Sequence, residues 1–466
     1  MNLRTALGER TGRTERSVSD GLVAFVMGDV MSGSSRRYWN RRVVVAGVAA
    51  LLLAPACGLF ESGGGSSEEP GTVVVMLPSD NPGDIQARQA LAEEFMKQHE
   101  DIPVKIQVIP AEGYDQKVFT SIAAGEPPDI FGSGDVIIPT IVSKNYALDL
   151  NTLIEKEDYD LSSFYPQVLD GLRFEGKLVG LTDNWDTQVM YYNRELFDKA
   201  GLDYPDGTWT WDDFVSNSRQ LTEGEGPKKV FGAVHGTWFV PIFDAVWSFG
   251  GEIFSEDGTE CLLDSQESIA GVQAVADLIE EGLSPTPEQL EGQSPTQLLL
   301  SGRAAMVIDA GRWGAFELQE GRTDWAVAPI PKGPAGRQNF FHLGMFAIAR
   351  NSDSKENAWE FLKFMVSKEG IQSTVDNLQG IPARKPVAKS SVVTDSAIVQ
   401  EHDALDPFLE SLPTAHTAPY VEDFAVYIDT IGAGMDPIWS GEKSAAEVLP
   451  GVCDKVDEQI AEQQAE

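Results

Sequence analysis

The sequence has few of the residues on which many enzyme and metal sites depend. Its 466 residues include only 5 His and 3 Cys. The histidines, at positions 99, 235, 342, 402 and 416, form no HExxH pattern and no other metal-type spacing. The motifs GxSxG, GxxxxGK[ST] and GxGxxG are also absent from the sequence. We therefore expect no metal, no cofactor and no enzyme activity.

Basic residues are also scarce, with 35 Lys and Arg against 72 Asp and Glu. The residues after position 57 carry 27 basic and 68 acidic side chains, a net charge of −41. A nucleic acid partner is excluded, because binding a polyanion requires a basic surface. Anionic lipid headgroups would repel such a surface as well. Membrane attachment would therefore need a covalent tether.

No apolar run is long enough to cross a membrane. The segment Val43–Ala54 has 12 residues, whereas a spanning helix needs about 20. It follows arginines at positions 36, 37, 41 and 42 and leads into Cys57, an order typical of a signal peptide. The stretch resembles the lipobox of bacterial lipoproteins, which implies lipid on Cys57 and a position on the outer face of the cytoplasmic membrane. Ordinary secretory cleavage near Ala56 is the alternative.

The sequence therefore divides into an N-terminal extension with a lipoprotein signal peptide at 1–57, a linker at 58–71 and a globular remainder. Met31 is a more usual first residue for a signal peptide of this kind than Met1. Translation could therefore begin at Met31 and leave out residues 1–30. Ser35, Arg36 and Arg37 match a twin-arginine export signal, and export of the unfolded chain is the alternative. The linker contains SGGGSSEEPG, a flexible composition with a reach of roughly 20 Å.

Strands and helices alternate at the start of the globular part. TVVVML, VKIQVI and PPDIF are predicted strands, and DIQARQALAEEFMKQH and YDQKVFTSIAAG are the predicted helices between them. This alternation predicts an α/β fold with mostly parallel sheets flanked by helices. Ligands of such sheets bind at the carboxyl ends of the strands, which here are residues 78–81 and 132–135.

Further along the chain, helix starts and stops are marked by capping residues. Thr210 with Asp213 predicts a helix to about Leu221, and Ser265 begins another that reaches Gly282. Ser294 and Pro295 begin the short helix SPTQLLLSG. AAMVIDA is a predicted strand, and SDSKENAWEFLKFMVSKEG is predicted to form one capped helix.

The segment GKLVGLTDNWDTQVMYYNRELFDKAGLDYPDGTWTWDDF, residues 176–214, carries a family resemblance. It resembles the central signature of family 1 extracellular solute-binding proteins, the maltose-binding-like receptors of bacterial sugar importers. Further blocks agree in order and spacing: WSFGGEIF, LLLSGRAAMVIDAGRWG, WAVAPIPKGPAG, AWEFLKFMVSKEGIQ and GIPARKPVA. The resemblance extends from Thr72 to the C-terminus.

This resemblance implies a two-lobed periplasmic-binding-protein-like fold of type II, with hinge strands between the lobes. Lobe one would comprise 70–185 and 345–395, and lobe two 186–344 and 396–466. The hinge would pass near 186–192 and 342–348. The implied function is capture of a neutral mono- or oligosaccharide, or of a polyol, by a monomer that delivers it to the permease subunits of an ABC importer.

A neutral sugar offers hydroxyl groups to carboxylates and amides, and apolar faces to aromatic rings. The positions that match the family's motifs predict the following ligand-binding set: Asp80, Asp135, Asn184, Trp185, Asp186, Trp238, Trp247, Arg312, Trp313, His342, Arg384 and Tyr427. Trp313 and Asp186 are the leading candidates. For His342 the alternative is a hinge residue that bonds across the lobes, and for Arg384 it is support of its own loop.

Cys261 and Cys453 would both lie in lobe two, so the resemblance also implies a disulfide between them. The alternative is two separate buried thiols.

Two other functions remain open at this point. A secreted glycoside hydrolase would use two carboxylates, but in a chain with 72 acidic residues a suitable pair carries little information. A surface adhesin or sensor-linked binding protein without an importer would share every motif.

Overall fold

The computed structural model describes residues 71–290, 292–309, 311, 314–315, 318, 325–375 and 380–465. The predicted signal peptide and its Cys57, the linker up to residue 70, Arg312 and Trp313 lie outside the described residues. Within the described part of the chain, no helix has both the length and the apolar character that a membrane span requires.

The described chain alternates between short strands and helices, as predicted. The strands are β1 (Val73–Pro78), β2 (Val104–Ile109), β3 (Ile130–Ser133), β4 (Arg173–Phe174), β5 (Lys177–Leu178), β6 (Asn184–Thr187), β7 (Met190–Asn193), β8 (Val234–His235), β9 (Met306–Ile308), β10 (Trp325–Ala328), β11 (Asn339–His342), β12 (Met345–Ile348), β13 (Ile381–Pro382) and β14 (Ala415–His416).

The helices are α1 (Pro82–Gln98), α2 (Tyr114–Ala123), α3 (Ile138–Ser143), α4 (Asn151–Glu157), α5 (Pro166–Gly171), α6 (Arg194–Ala200), α7 (Trp211–Leu221), α8 (Phe239–Ser248), α9 (Gln266–Glu280), α10 (Pro287–Leu290), α11 (Pro295–Leu300), α12 (Lys355–Met365), α13 (Lys368–Thr374), α14 (Lys385–Ala388), α15 (Ser391–Thr394), α16 (Ala397–His402), α17 (Asp406–Ser411), α18 (Phe424–Trp439) and α19 (Ala445–Gln464). Two 3₁₀ turns lie at Gly226–Lys228 and Leu412–Thr414.

The first sheet has the strand order β12-β3-β1-β2. β1 pairs in parallel with β2 and β3, and β12 lies antiparallel on β3. This sheet is mostly parallel, as predicted. Helix α1 covers it with the buried side chains of Leu91 and Phe95, because these positions are four residues apart and share one face of the helix.

The second sheet has the order β10-β7-β9-β8. β8 and β9 pair in parallel, and β7 lies antiparallel to both β9 and β10, so three of the four strands run in the same direction. β7 follows β6 directly, across Gln188 and Val189.

A third sheet, β13-β6-β11-β14, connects the other two. Its central strands β6 and β11 are antiparallel, with Thr187 opposite Phe341 and Asp186 opposite His342. β6 continues into β7 of the second sheet, and β11 continues across Leu343 and Gly344 into β12 of the first. The two strands therefore carry the chain between the sheets in opposite directions, which is the arrangement of a two-lobed fold.

Helix starts follow the predicted capping residues closely. Thr210 and Asp213 form a reciprocal capping box before α7, and Ser294 forms one with Gln297 before α11. The single helix predicted over 352–370 is wrong, because the segment forms α12 and α13. The Ser367 side chain accepts a hydrogen bond from the Gly370 amide (2.9 Å) and thus begins a second helix.

A disulfide joins Cys261 to Cys453, with their Cα atoms 5.2 Å apart. It connects the segment before α9 to the last helix, α19. Both cysteines are buried in one apolar cluster, which α8, α9, α18 and α19 build together. The amide of Cys261 also donates to the Asp457 carboxylate (2.7 Å) on the same helix.

Candidate functional site

Polar residues follow the strands at one edge of the first sheet. Asp80 comes after β1, and its exposed carboxylate accepts a hydrogen bond from the Ala111 amide (3.2 Å) after β2. Asn81 caps α1 by accepting from the Gly83 amide (2.8 Å). Because β1 and β2 are parallel, their carboxyl ends meet at the same edge. This edge therefore presents a carboxylate and an amide side chain to solvent.

Asp135 follows β3 at the same edge and contacts the connecting sheet. Its Oδ2 lies 3.1 Å from Nδ1 of His342, the last residue of β11. Its Oδ1 accepts from the Val136 amide (2.9 Å). The pair joins the loop of the first lobe to a strand that leads in from the second lobe.

Asp186 lies directly opposite His342 in the β6–β11 ladder, so the two side chains share one face of the connecting sheet. Only 5% of Asp186 is exposed, and its Oδ1 accepts from the Thr187 amide (2.8 Å). The loop after β9 closes against it. A Cβ atom on Gly311 would lie 2.1 Å from Asp186 Oδ2, so this close approach requires glycine. The Tyr191 hydroxyl holds the loop by donating to the Gly311 carbonyl (2.5 Å).

Trp238 and Asp309 lie where the second sheet ends. Trp238 follows β8 at the start of α8, and Asp309 follows β9. Trp238 Nε1 donates to Asp309 Oδ1 (3.0 Å), and the indole is half-buried against the edge of Phe239, with ring centroids 5.2 Å apart. This contact fixes the orientation of an aromatic face beside a carboxylate.

Two groups on the connecting sheet and its helix have shifted pKa values. Burial lowers the pKa of His342, but the hydrogen bond and charge of Asp135, with the charges of Asp186 and Asp244, outweigh it and raise the pKa above 6.5. Asp244 lies on α8 and accepts the Phe340 amide (2.5 Å). Burial raises its pKa well above the usual range.

Comparison with known proteins places this geometry in a family. The model of the bacterial extracellular solute-binding protein family matches residues 79–372. The chain belongs to this family. Members of this family bind solutes. In open α/β sheets ligands bind at the carboxyl ends of the strands, and the strand-end groups described above lie at such ends.

Three relatives define what this solute-binding protein is similar to. An ABC substrate-binding protein from Listeria monocytogenes, solved in complex with cycloalternan, superposes with a TM-score of 0.74 and 27% identity, covering 84% of this chain and 99% of that one. The maltotriose-binding protein of Pyrococcus abyssi is 22% identical and covers 70% of each chain. The erythritol/L-threitol-binding protein of Mycolicibacterium smegmatis is 24% identical, over 86% of this chain and 93% of its own.

Several predicted site residues of the solute-binding protein lie in the core instead of at the strand ends. Trp185 is 1% exposed and contacts Tyr165, with ring centroids 5.3 Å apart. Trp247 is 5% exposed and stacks on His416 at 4.7 Å. Tyr427 is 3% exposed, and its hydroxyl donates to the Gln463 side chain. In this structure these three rings offer little surface to a solute.

Two other predicted residues have structural partners of their own. Arg384 donates to the Val366 carbonyl (2.5 Å), the Tyr159 hydroxyl (2.6 Å) and the Ser163 hydroxyl, and so supports its own loop. Asn184 donates to the Asp183 carboxylate (2.7 Å) at the start of β6. Arg312 and Trp313 lie outside the described residues, next to Gly311.

The sequence predictions missed three residues that the structure places in or beside this site: Asp309, Gly311 and Asp244. Asp309 could have been identified from the sequence, since Asp309 lies near the end of the predicted strand AAMVIDA, just as Asp135 comes shortly after β3. Gly311 and Asp244 gave no such signal, because their roles depend on contacts with residues far away in the chain.

Proposed function

We propose that this solute-binding protein captures a neutral sugar or polyol between its two lobes and delivers it to an ABC importer. The observation that supports this most directly is the set of side chains at the strand ends of the first and second sheets and on the connecting sheet. Asp80, Asp135, Asp186 and Asp309 supply carboxylates, and Trp238 supplies a held aromatic face. Carboxylates suit hydroxyl groups, and an aromatic ring suits the apolar face of a sugar.

The charge of this set argues for a neutral solute. Four carboxylates would repel a phosphate or a carboxylate ligand. Cycloalternan, maltotriose and erythritol, the compounds named for the three relatives, are all neutral and rich in hydroxyl groups. Trp313 and Arg312 are proposed to complete the site, because they follow in sequence directly after Gly311, which lies close to Asp186.

The proposal includes the division into lobes at 70–185 plus 345–395 and 186–344 plus 396–466. The passages β6–β7 and β11–β12 support the hinge positions. It also includes lipid on Cys57, attachment to the outer face of the cytoplasmic membrane and a monomer that meets the permease subunits. The family supports the permease as a partner, and the sequence before residue 58 supports the anchor.

A thermal-shift screen with maltotriose, cycloalternan, glucose and erythritol tests the proposal, with inorganic phosphate and glutamate as anionic controls. A solute at about a hundred times its dissociation constant should stabilise the fold by roughly 2.7 kcal/mol. We expect at least one neutral compound to raise the melting temperature and neither anion to do so. Stabilisation by an anion alone would contradict the proposal. Turnover of a stabilising oligosaccharide on prolonged incubation would favour the hydrolase instead.

A further inference from the structure

One of the two short connections between the connecting sheet and a lobe lies between β11 and β12. His342 ends β11 in the connecting sheet, and Met345 begins β12 in the first sheet. Only Leu343 and Gly344 lie between them. Any rotation of one lobe against the other must therefore change the backbone here or at the neighbouring crossing from β6 to β7.

The Asp135–His342 contact spans this connection. Asp135 is anchored to the first sheet, since Ser133 in β3 pairs with Met345 on the far side of the connection. Its Oδ2 lies 3.1 Å from His342 Nδ1. The two sides of the connection are thus joined by this side-chain contact as well as by the backbone.

The loop that carries Asp135 also touches the second lobe. Val136 packs against the apolar cluster that α8, α9, α18 and α19 build. Asp135 is therefore close to His342 in a conformation in which its own loop rests on the opposite lobe. Opening of the lobes would separate Val136 from that cluster. It would also increase the distance between Asp135 and His342.

Three acidic groups act on the His342 imidazole, each from a different element. Asp135 comes from the loop after β3, Asp186 from β6 and Asp244 from α8. Asp186 is already engaged by the Thr187 amide and by the loop at Gly311. Asp135 is the acidic group on the first lobe, and its distance from His342 depends on the hinge.

We propose that protonated His342 and Asp135 form a lock across the hinge that stabilises the closed form of the protein. His342 is then a positioning residue, which acts on solute binding through lobe closure and not through contact with the solute. The effect on solute affinity rests on the proposed function above, whereas the effect on lobe closure stands without it.

The direction of the pH dependence follows from the charges. The pKa of His342 lies above 6.5 when the contact is made. A group with a raised pKa contributes its full stabilisation below the ordinary value, and that stabilisation is lost as the pH rises through the raised value. The closed form should therefore be favoured at acidic pH and weakened at alkaline pH.

The other histidines allow the effect of His342 protonation to be separated from the effects of histidines elsewhere in the protein. Burial lowers the pKa of His235 to about 4, so its ring stays neutral across this range. Burial also lowers the pKa of His416. His402 stacks on Trp325, with ring centroids 3.7 Å apart, and its Nδ1 donates to the Trp325 carbonyl (2.9 Å). It lies away from the hinge connection and serves as a matched control.

The test is small-angle scattering of the ligand-free protein at about pH 5.5 and about pH 8.5, on either side of the ordinary histidine range. We expect the radius of gyration of the wild type to increase with pH. His342→Gln and Asp135→Asn should remove this change, and His402→Gln should keep it. Melting curves establish that each variant is folded.

Calorimetry with maltotriose provides the second measurement. The wild type should bind roughly tenfold more weakly at the higher pH, about 1.4 kcal/mol, and His342→Gln should show little pH dependence. A pH-dependent radius that persists in His342→Gln overturns the lock. If no neutral compound of the thermal-shift screen binds at either pH, the proposed function is wrong, and the scattering data still decide the question of the lock.

Discussion

At the scale of single residues, the loop at Gly311 is the most constrained part of the described site. An alanine there would place its Cβ 2.1 Å from Asp186 Oδ2. We expect Gly311→Ala to displace the loop, to weaken solute binding and to lower the free energy of unfolding by about 1–3 kcal/mol. Urea unfolding measures the stability, and calorimetry measures the affinity.

Gly451→Ala is the matched control for this substitution. Gly451 lies inside α19, and a Cβ there meets nothing within 4 Å. Since alanine favours a helix interior, this variant should be more stable by up to about 1 kcal/mol. If Gly311→Ala matches the wild type in both measurements, the loop does not close tightly on Asp186.

Trp238 allows its aromatic face and its hydrogen bond to be tested separately. Trp238→Ala should weaken binding of maltotriose at least tenfold, about 1.4 kcal/mol. Trp238→Phe keeps a ring but removes the Nε1 donor to Asp309, so its loss should be smaller. Calorimetry compares them with Trp209→Ala, a half-buried indole near Phe197 in the second lobe. Equal losses for Trp209→Ala and Trp238→Ala would mean that the effect comes from the fold alone.

The site could be predicted from sequence only where a residue's position along a strand decides its role. Asp80 and Asp135 follow strands, so the parallel arrangement brings them to one edge. Trp185 and Asp186 are adjacent on β6, and successive side chains of a strand point to opposite faces. Asp186 faces His342, whereas Trp185 faces Phe341 in the core. Which face belongs to the site depends on the pairing of β6 with β11, and no local pattern contains that information.

At the scale of elements, the disulfide ties the last helix to the segment before α9. The two cysteines are 192 positions apart, and chain-entropy reasoning puts the gain from closing so long a loop at roughly 5 kcal/mol. We expect the double variant Cys261→Ser/Cys453→Ser to melt at a lower temperature than the wild type. Reductant should lower the melting temperature of the wild type and leave the double variant unchanged.

Thiol titration of the unfolded, unreduced protein checks the bridge directly, in a Cys57→Ser background. No reactive thiol is expected. Two reactive thiols per chain would exclude the disulfide and restore the alternative of separate buried cysteines.

Helix boundaries were the most predictable elements, because capping is local. The Thr210–Asp213 box begins α7 as predicted, since both partners lie within one turn. Ser367 was read as part of a continuous helix, although its hydroxyl could also begin a new one. Local apolar periodicity is the same in both cases. Strand direction in the second sheet was less predictable still, because β7 pairs with β9 and β10, which lie far away in the sequence.

At the scale of the whole molecule, the two-lobed fold came from the family resemblance and not from composition or periodicity. Alternating strands and helices are compatible with one continuous sheet as well as with two. The crossings at β6–β7 and β11–β12 differ from ordinary loops only in the sheets that they connect. The quoted motifs carry that information, because they recur in proteins that share this chain path.

The acidic charge of the whole molecule makes its proposed membrane attachment testable by one substitution. The residues after Cys57 carry a net charge of −41, so anionic headgroups repel the protein and only a covalent lipid would hold it. A single acyl chain binds weakly and several bind firmly.

We expect Cys57→Ser to move the protein from the membrane fraction to the soluble exported fraction, as measured by fractionation and immunoblotting. The wild type should resist a high-salt wash and be released by detergent, since its attachment would be hydrophobic. A Cys57→Ser protein that stays with the membrane through the salt wash would mean that another segment holds it there.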